Sequence, residues 1–81
     1  MADAVNHPNH YCKGGVECID AIRASMTTEA FAGYCKGNVL KYVWRYESKG
    51  GIEDLQKAAV YLNWLVQIVD KIEYDNKQRE I

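Results

Sequence analysis

The sequence predicts an all-α fold: three helices with an irregular N-terminal arm and a long C-terminal helix, assembled as a homo-oligomer. Residues 52–78 keep a helical apolar repeat, which is the clearest pattern in the chain. Before them, a run rich in tyrosine, lysine and arginine ends at Gly50-Gly51, a strong helix-stop signal. The 81 residues form a single helical domain, 1–81, whose own core is marginal at this length.

Composition and charge restrict the class of protein. With 48% hydrophobic and 26% charged residues, the chain has the balance of a globular protein. The net charge of −1 argues against binding to a nucleic-acid polymer, which favours basic chains. The sequence contains no apolar run long enough to span a bilayer, and its N-terminus lacks the features of a signal peptide. We therefore expect a cytoplasmic protein with no membrane partner.

Three cysteines, an odd number without a secretory signal, predict reduced thiols. A zinc site is the alternative, and its ligands would be His7, His10, Cys12 and Cys18. That spacing matches no usual zinc finger, and the chain has no C-x-x-C pair. We therefore predict no metal site and no cofactor.

The first 26 residues predict an arm followed by a short helix. Residues 1–15 carry the only proline and end in Gly14-Gly15, which favours turns and extended backbone and offers a hinge. Residues 16–26 place Ile19, Ile22 and Met26 at helical spacing, which predicts the first helix.

The second helix is predicted over residues 28–48, with Thr27 or Thr28 as its N-cap. Gly33 and Gly37 lie inside it, where each glycine costs about 1 kcal/mol relative to alanine. Such a pair indicates a bend, or the close approach of a ligand or of another backbone.

The third helix, residues 52–78, carries two adjacent apolar stripes. The first is a heptad seam of Ile52, Leu55, Ala59, Leu62, Val66 and Val69. The second lies beside it and comprises Tyr61, Leu65, Ile68 and Ile72. Together they are wider than one neighbouring helix covers, so we expect part of this surface to face another subunit. Trp64 is predicted to lie exposed on the opposite face, as a second interface residue.

A cationic and aromatic set on the second helix is the candidate site. Asn38, Lys41 and Arg45 fall at i, i+3 and i+7 and share one helix face. Lys41 and Arg45 can hold phosphate, Asn38 can read a base edge, and the tyrosines and His10 can stack on a base. The predicted ligand-binding residues are His10, Tyr11, Lys13, Asn38, Lys41, Tyr42, Arg45, Lys49 and Tyr61.

Each of these residues also has an ordinary structural interpretation. Tyrosines at helical spacing usually lie in a core with a satisfied hydroxyl, and lysines on helices are usually solvated. Lys36 and Lys57 are further candidates for phosphate contacts. Signs of catalysis are weak, because the chain has no P-loop and only two acidic pairs that approximate a magnesium site, Glu17-x-x-Asp20 and Asp70-x-x-Glu73. We therefore predict no catalytic residues.

Several short motifs carry a family resemblance. They are Asn9-His10-Tyr11, the run Gly37-Asn38-Val39-Leu40-Lys41-Tyr42-Val43-Trp44-Arg45, and Lys49-Gly50-Gly51-x-x-Asp54-Leu55. In these motifs, over about residues 6–69, the chain resembles the SaV-like family of small bacteriophage proteins of unknown function. That family is related to a region of a T7-type phage nucleotide kinase.

The resemblance implies a phage protein that acts in the host cytoplasm on a nucleotide ligand. Our first hypothesis is that it sequesters a nucleotide immune signal of the cyclic-nucleotide type and so counteracts host defence. The alternatives are a nucleoside monophosphate kinase-like phosphotransfer enzyme, and a host-protein interaction module that uses Trp64 and the wide apolar surface of the third helix.

Overall fold

A computed structural model describes residues 12–13 and 16–79 of the chain. The prediction of three helices is confirmed: α1 is Cys18–Ala24, α2 is Thr28–Arg45 and α3 is Gly51–Arg79. The contact between α2 and α3 is the most extensive in the fold, whereas α1 packs on α2 over a few residues. None of the described helices combines the length and the hydropathy that a bilayer crossing requires.

A small antiparallel ladder precedes α1. β1, Cys12–Lys13, pairs with β2, Val16–Glu17, so that Cys12 lies opposite Glu17 and Lys13 opposite Val16. The prediction of an irregular arm through residue 15 and of a helix from residue 16 is wrong at these positions. The β-branched Val16 directly follows the glycine pair, a sequence that suits the second strand of a tight hairpin.

The ends of α2 are set by local hydrogen bonds. The side-chain oxygen of Thr27 accepts a hydrogen bond from the backbone N–H of Ala30 at 3.1 Å, which confirms this residue as the N-cap. The helix ends at Arg45, earlier than predicted, and residues 46–50 form a turn. Gly51 closes the turn with a positive φ of 55° and donates its N–H to the carbonyl of Tyr46 at 2.8 Å.

The core is formed by the second stripe of α3 against α2. Phe31, Cys35 and Ile68 are buried together. The residues packed around them are Ile19, Ile22, Ala32, Tyr34, Tyr61, Trp64, Leu65 and Ile72. The heptad seam lies beside this face, and five of its six residues are exposed, namely Ile52, Ala59, Leu62, Val66 and Val69. Homo-oligomerisation through α3 therefore stays a prediction.

The prediction of an exposed Trp64 is wrong. Trp64 is half-buried and packs edge-on against Tyr61, with the ring centroids 5.3 Å apart. The reason is that the inward face of α3 is centred on Tyr61 and Ile68, and Trp64 is three residues from the first and four from the second. The exposed tryptophan is Trp44 on α2, with 90% of its surface accessible. The host-interaction hypothesis therefore loses one of its two observations, whereas the exposed apolar residues of α3 remain.

Candidate functional site

Arg45 forms an ion pair with Asp54 across the turn between α2 and α3. Its Nε lies 3.1 Å from Oδ2 of Asp54 and its Nη2 lies 3.2 Å from Oδ1, a two-point contact between a guanidinium and a carboxylate. Asp54 is buried, with 1% of its surface accessible, whereas 31% of the Arg45 side chain is exposed. The Asp54 carboxylate is therefore the buried anchor of the turn between α2 and α3.

Gly50 completes the environment of Asp54. The hydrogen bond from Arg45, the charge of Arg45 and the backbone N–H of Gly50 together hold the pKa of Asp54 below its ordinary value, against the opposing effect of burial. The same pairing raises the pKa of Arg45. A side chain at position 50 would overlap the Asp54 carboxylate, so this glycine is required by close approach.

Three cationic groups surround the ring of Tyr42. Lys41 Nζ lies 4.5 Å from the ring centroid, Arg45 Cζ 4.8 Å and Lys57 Nζ 5.5 Å. All three distances fall within the range of cation–π attraction, which holds the charged groups together on one aromatic side chain. Lys57 also pairs with Glu53 at 3.4 Å. We refer to Lys41, Tyr42, Arg45 and Lys57 as the Tyr42 cluster.

Tyr61 supports this cluster from α3. Its ring stacks on that of Tyr42 at 6.0 Å, and it meets Tyr34 and Trp64 edge-on at 5.9 Å and 5.3 Å. Burial and a side-chain hydrogen bond with Tyr34 raise the pKa of Tyr61. Tyr61 therefore stays neutral and fixes the position of Tyr42, with its ring already in contact with three others.

The remaining predicted ligand-binding residues lie at several separate positions in the chain. The Asn38 side-chain amide donates to the backbone carbonyl of Tyr34 at 2.9 Å, which leaves its carbonyl oxygen and one N–H for other partners. Lys49 is exposed in the turn after α2. Lys13 lies on β1 opposite Val16, and His10 and Tyr11 lie outside the described residues.

Two residues that contact the candidate site, Lys57 and Tyr34, are not among the predicted ligand-binding residues. Lys57 lies on α3, whereas Lys41 and Tyr42 lie on α2, so the spacing of residues in the sequence did not indicate that Lys57 would reach the same ring. Tyr34 was not predicted as a site residue, although it lies four residues before Asn38 and eight before Tyr42 on one face of α2.

The cysteines and acids form no cluster in the part of the chain that the structure describes. Cys18 is a free exposed thiol and Cys35 a free buried one, and burial raises the pKa of the Cys35 thiol. The described residues contain no group of three or more histidine, cysteine, aspartate or glutamate side chains placed to hold a metal ion. Two of the four zinc candidates, His7 and His10, lie outside those residues.

A separate open concavity of about 360 Å³ lies between α1, the start of α2 and α3. Its lining residues are Arg23, Met26, Thr27, Thr28, Phe31, Gln67, Ile68 and Lys71. None of the predicted ligand-binding residues belongs to this lining, so the Tyr42 cluster and the concavity are distinct surfaces.

Comparison with profiles of known protein families shows the family of this chain. The profile of the DUF3310 family, described as proteins of unknown function, matches residues 5–63, which is more than half of the sequence. The chain belongs to the DUF3310 family. The match covers the whole of α2 and the start of α3, and so includes every residue of the Tyr42 cluster.

Two curated phage proteins are similar to this DUF3310 chain. The gene 1.7 protein of Enterobacteria phage T3 is 52% identical over 62 residues, which cover 70% of this chain and 38% of that protein. The nucleotide kinase gp1.7 of Escherichia phage T7 is 36% identical over 70 residues, which cover 85% of this chain and 36% of that protein. The chain thus spans less than two fifths of each of these relatives. No solved structure matches it.

Proposed function

We propose that this phage protein binds a nucleotide at the Tyr42 cluster. The observation that carries the proposal is the convergence of three cationic groups from two helices within 5.5 Å of one tyrosine ring. Glu53 and Asp54 each pair with one of these cations, whereas no carboxylate is within pairing distance of Lys41 among the described residues. A local excess of positive charge on a chain of net charge −1 suits a small anion.

The geometry gives each group a role in this proposal. Lys41 and Lys57 hold phosphate oxygens as mobile point charges, while Arg45, fixed by Asp54, presents its remaining N–H groups in a set direction. Asn38 lies one helical turn before Lys41 on the same helix face, and its remaining carbonyl oxygen and N–H can read a base edge. The ring of Tyr42 holds the three cationic groups together.

The T7 relative supports the ligand class. That protein is named a nucleotide kinase, and its similarity extends over 85% of this chain. Because the shared region is only 36% of the T7 protein, we propose nucleotide binding as the property of the shared region and keep the activity as a separate matter.

Two activities are compatible with such a site. We propose first that the chain sequesters its nucleotide, an immune signal of the cyclic-nucleotide type, in the host cytoplasm, since this role needs only binding and self-association through α3. The name of the T7 relative favours the second candidate, transfer of a phosphoryl group between nucleotides. The chemical fate of the bound ligand distinguishes the two.

Calorimetry of the purified full chain with mono-, di-, tri- and cyclic nucleotides tests the binding proposal. We expect saturable binding of at least one of them, and absence of binding to all would overturn it. For any nucleotide that binds, denaturing the complex and analysing the ligand separates the activities. Unchanged ligand supports sequestration, whereas ADP formed from ATP and a nucleoside monophosphate supports the kinase.

A further inference from the structure

The open concavity between α1, the start of α2 and α3 combines apolar and polar side chains. Its volume of about 360 Å³ lies at the lower end of the range of about 300–1,000 Å³ that small-molecule sites occupy. Met26, Phe31 and Ile68 supply the apolar part of the lining, and the other five residues are polar or charged. The concavity therefore has the size and the mixed lining of a site for a small molecule that carries a charged group.

Arg23 is the first charged group of this lining. Its Cζ lies 4.6 Å from the ring centroid of Phe31, which is only 2% exposed, so a cation–π contact holds the guanidinium against a fixed side chain. None of the described carboxylates forms an ion pair with Arg23. The N–H groups of this guanidinium are therefore available to an external anion, and their planar fork suits two oxygens of one phosphate or carboxylate.

Lys71 is the second charged group and lies on another helix, α3. Its Nζ lies 3.5 Å from Oδ2 of Asp75, and the two side chains are 75% and 48% exposed. Because ion pairs at such exposed positions are weak, this contact does not prevent Lys71 from turning towards a ligand. The concavity can therefore present two cationic groups to one anion.

Two neutral polar groups complete this set of donors, the Thr28 hydroxyl and the Gln67 side-chain amide. Neither side chain takes part in a hydrogen bond among the described residues. Both can donate a hydrogen bond to an anionic oxygen. Each of the three helices therefore contributes at least one available donor to the same concavity.

We propose that the concavity binds a phosphate monoester, whose phosphate lies between Arg23 and Lys71. Two cationic groups match the double negative charge of a phosphate monoester better than the single charge of a carboxylate. The apolar group of the ester would pack on Met26, Phe31 and Ile68. This site goes beyond the proposed function and does not depend on it, because none of the lining residues belongs to the Tyr42 cluster.

A residue-resolved NMR titration of the full chain with phenyl phosphate tests the site. At about pH 8 the probe is a dianion. We expect saturable shifts at Thr28 and Gln67 with a dissociation constant of about 1 mM or lower. Such shifts are expected whether or not the Tyr42 cluster binds a nucleotide. Absence of saturable shifts at these two residues, or shifts confined to the Tyr42 cluster, would overturn the proposal.

Three further probes test the ligand class. Inorganic phosphate lacks the ring, benzoate carries a single charge, and benzyl alcohol is neutral. All three should bind more weakly than phenyl phosphate, and benzyl alcohol should bind most weakly, because each lacks one of the features that the lining matches. If benzoate or benzyl alcohol binds as tightly as phenyl phosphate, the assignment to a phosphate monoester is wrong.

Substitutions of the two cationic residues locate the phosphate. Arg23→Gln should weaken phenyl phosphate binding about tenfold or more, because it removes charge-assisted hydrogen bonds. Lys71→Gln should weaken it about threefold, and this variant should keep the fold because the side chain is 75% exposed. The matched control is Lys77→Gln, another exposed lysine of α3 that lies outside the lining, and it should bind as the wild type does.

Circular dichroism of each variant separates a loss of binding from a loss of folding. If Arg23→Gln disturbs the fold through its contact with Phe31, the comparison of Lys71→Gln with Lys77→Gln still decides the matter. Equal affinities of these two lysine variants for phenyl phosphate would overturn the proposal.

Discussion

Arg45 and Asp54, nine residues apart, join the last residue of α2 to the first turn of α3 through two hydrogen bonds of 3.1 Å and 3.2 Å. This pair fixes the turn between the two longest helices, because Asp54 also lies against Gly50 inside that turn. It also fixes the guanidinium beside Tyr42, 4.8 Å from the ring centroid. One ion pair therefore links the stability of the fold to the geometry of the candidate site.

Arg45→Ala should lower the stability of the chain more than Lys41→Ala. Without the guanidinium, Asp54 stays buried with an unpaired charge, whereas Lys41 is exposed on the helix surface. The measurement is the urea midpoint of both variants at one protein concentration. A double variant, Arg45→Ala with Asp54→Ala, should lose less than the sum of the two single variants. Additive losses would show that the two residues do not act as a pair.

The contribution of Asp54 to the free energy of unfolding should be complete at neutral pH and should decrease as the solution becomes acidic. The folded-state pKa of Asp54 is lowered, chiefly by the hydrogen bond from Arg45, below the value of about 3.9 expected for an unfolded chain. Its contribution is therefore complete above about pH 5 and is lost as the pH falls through 3.9 towards the folded-state pKa. Asp54→Asn should be less stable than the wild type at pH 7, with a smaller difference at pH 3. A difference independent of pH would contradict this account.

Gly50→Ala and Gly37→Ala should change stability in opposite directions. An added methyl group at position 50 would overlap the Asp54 carboxylate, which Arg45 prevents from moving aside, and should cost about 1–3 kcal/mol. At position 37 the methyl group meets nothing within 4 Å, so the helix should gain up to about 1 kcal/mol. Chemical unfolding of the two variants provides the comparison. A destabilised Gly37→Ala variant would indicate that another backbone or a ligand lies against this face.

Trp64→Ala should lower the free energy of unfolding more than Trp44→Ala, because Trp64 packs on the core and Trp44 lies on the surface. Trp64 packs on Tyr61 and the buried cluster, and truncating it should cost about 2 kcal/mol. Trp44 is 90% exposed, and its removal should change the free energy of unfolding by less than about 0.5 kcal/mol. If Trp44→Ala proves the more damaging variant, the surface of α2 is covered by a partner.

The helices were predictable because their signals are local. Thr27 caps α2 through its own side chain, and Gly51 ends the turn through a positive φ that other residues rarely adopt. The short strands before α1 were missed because a two-residue ladder has too few positions to show an alternating pattern. The strand assignment depends on pairing across the hairpin, which the order of residues alone does not reveal.

The candidate site was only partly predictable because its contacts cross between helices. The i, i+3, i+7 spacing placed Asn38, Lys41 and Arg45 on one face, but it could not show that Arg45 would meet Asp54 on the next helix. The orientation of α3 was also open, since its two apolar stripes were equally suited to pack on α2. The choice of the second stripe brought Tyr61 under Tyr42 and moved Trp64 into the core.

The most direct measurement of the central claim is the nucleotide affinity of Lys41→Ala against that of Lys77→Ala. Both changes remove one exposed lysine, but only Lys41 lies in the Tyr42 cluster, and Lys77 is in the last turn of α3. By calorimetry with the nucleotide that binds the wild type most tightly, Lys41→Ala should weaken binding about tenfold or more. Lys77→Ala should bind as the wild type does. Equal affinities of the two variants would contradict the assignment of the nucleotide site to the Tyr42 cluster.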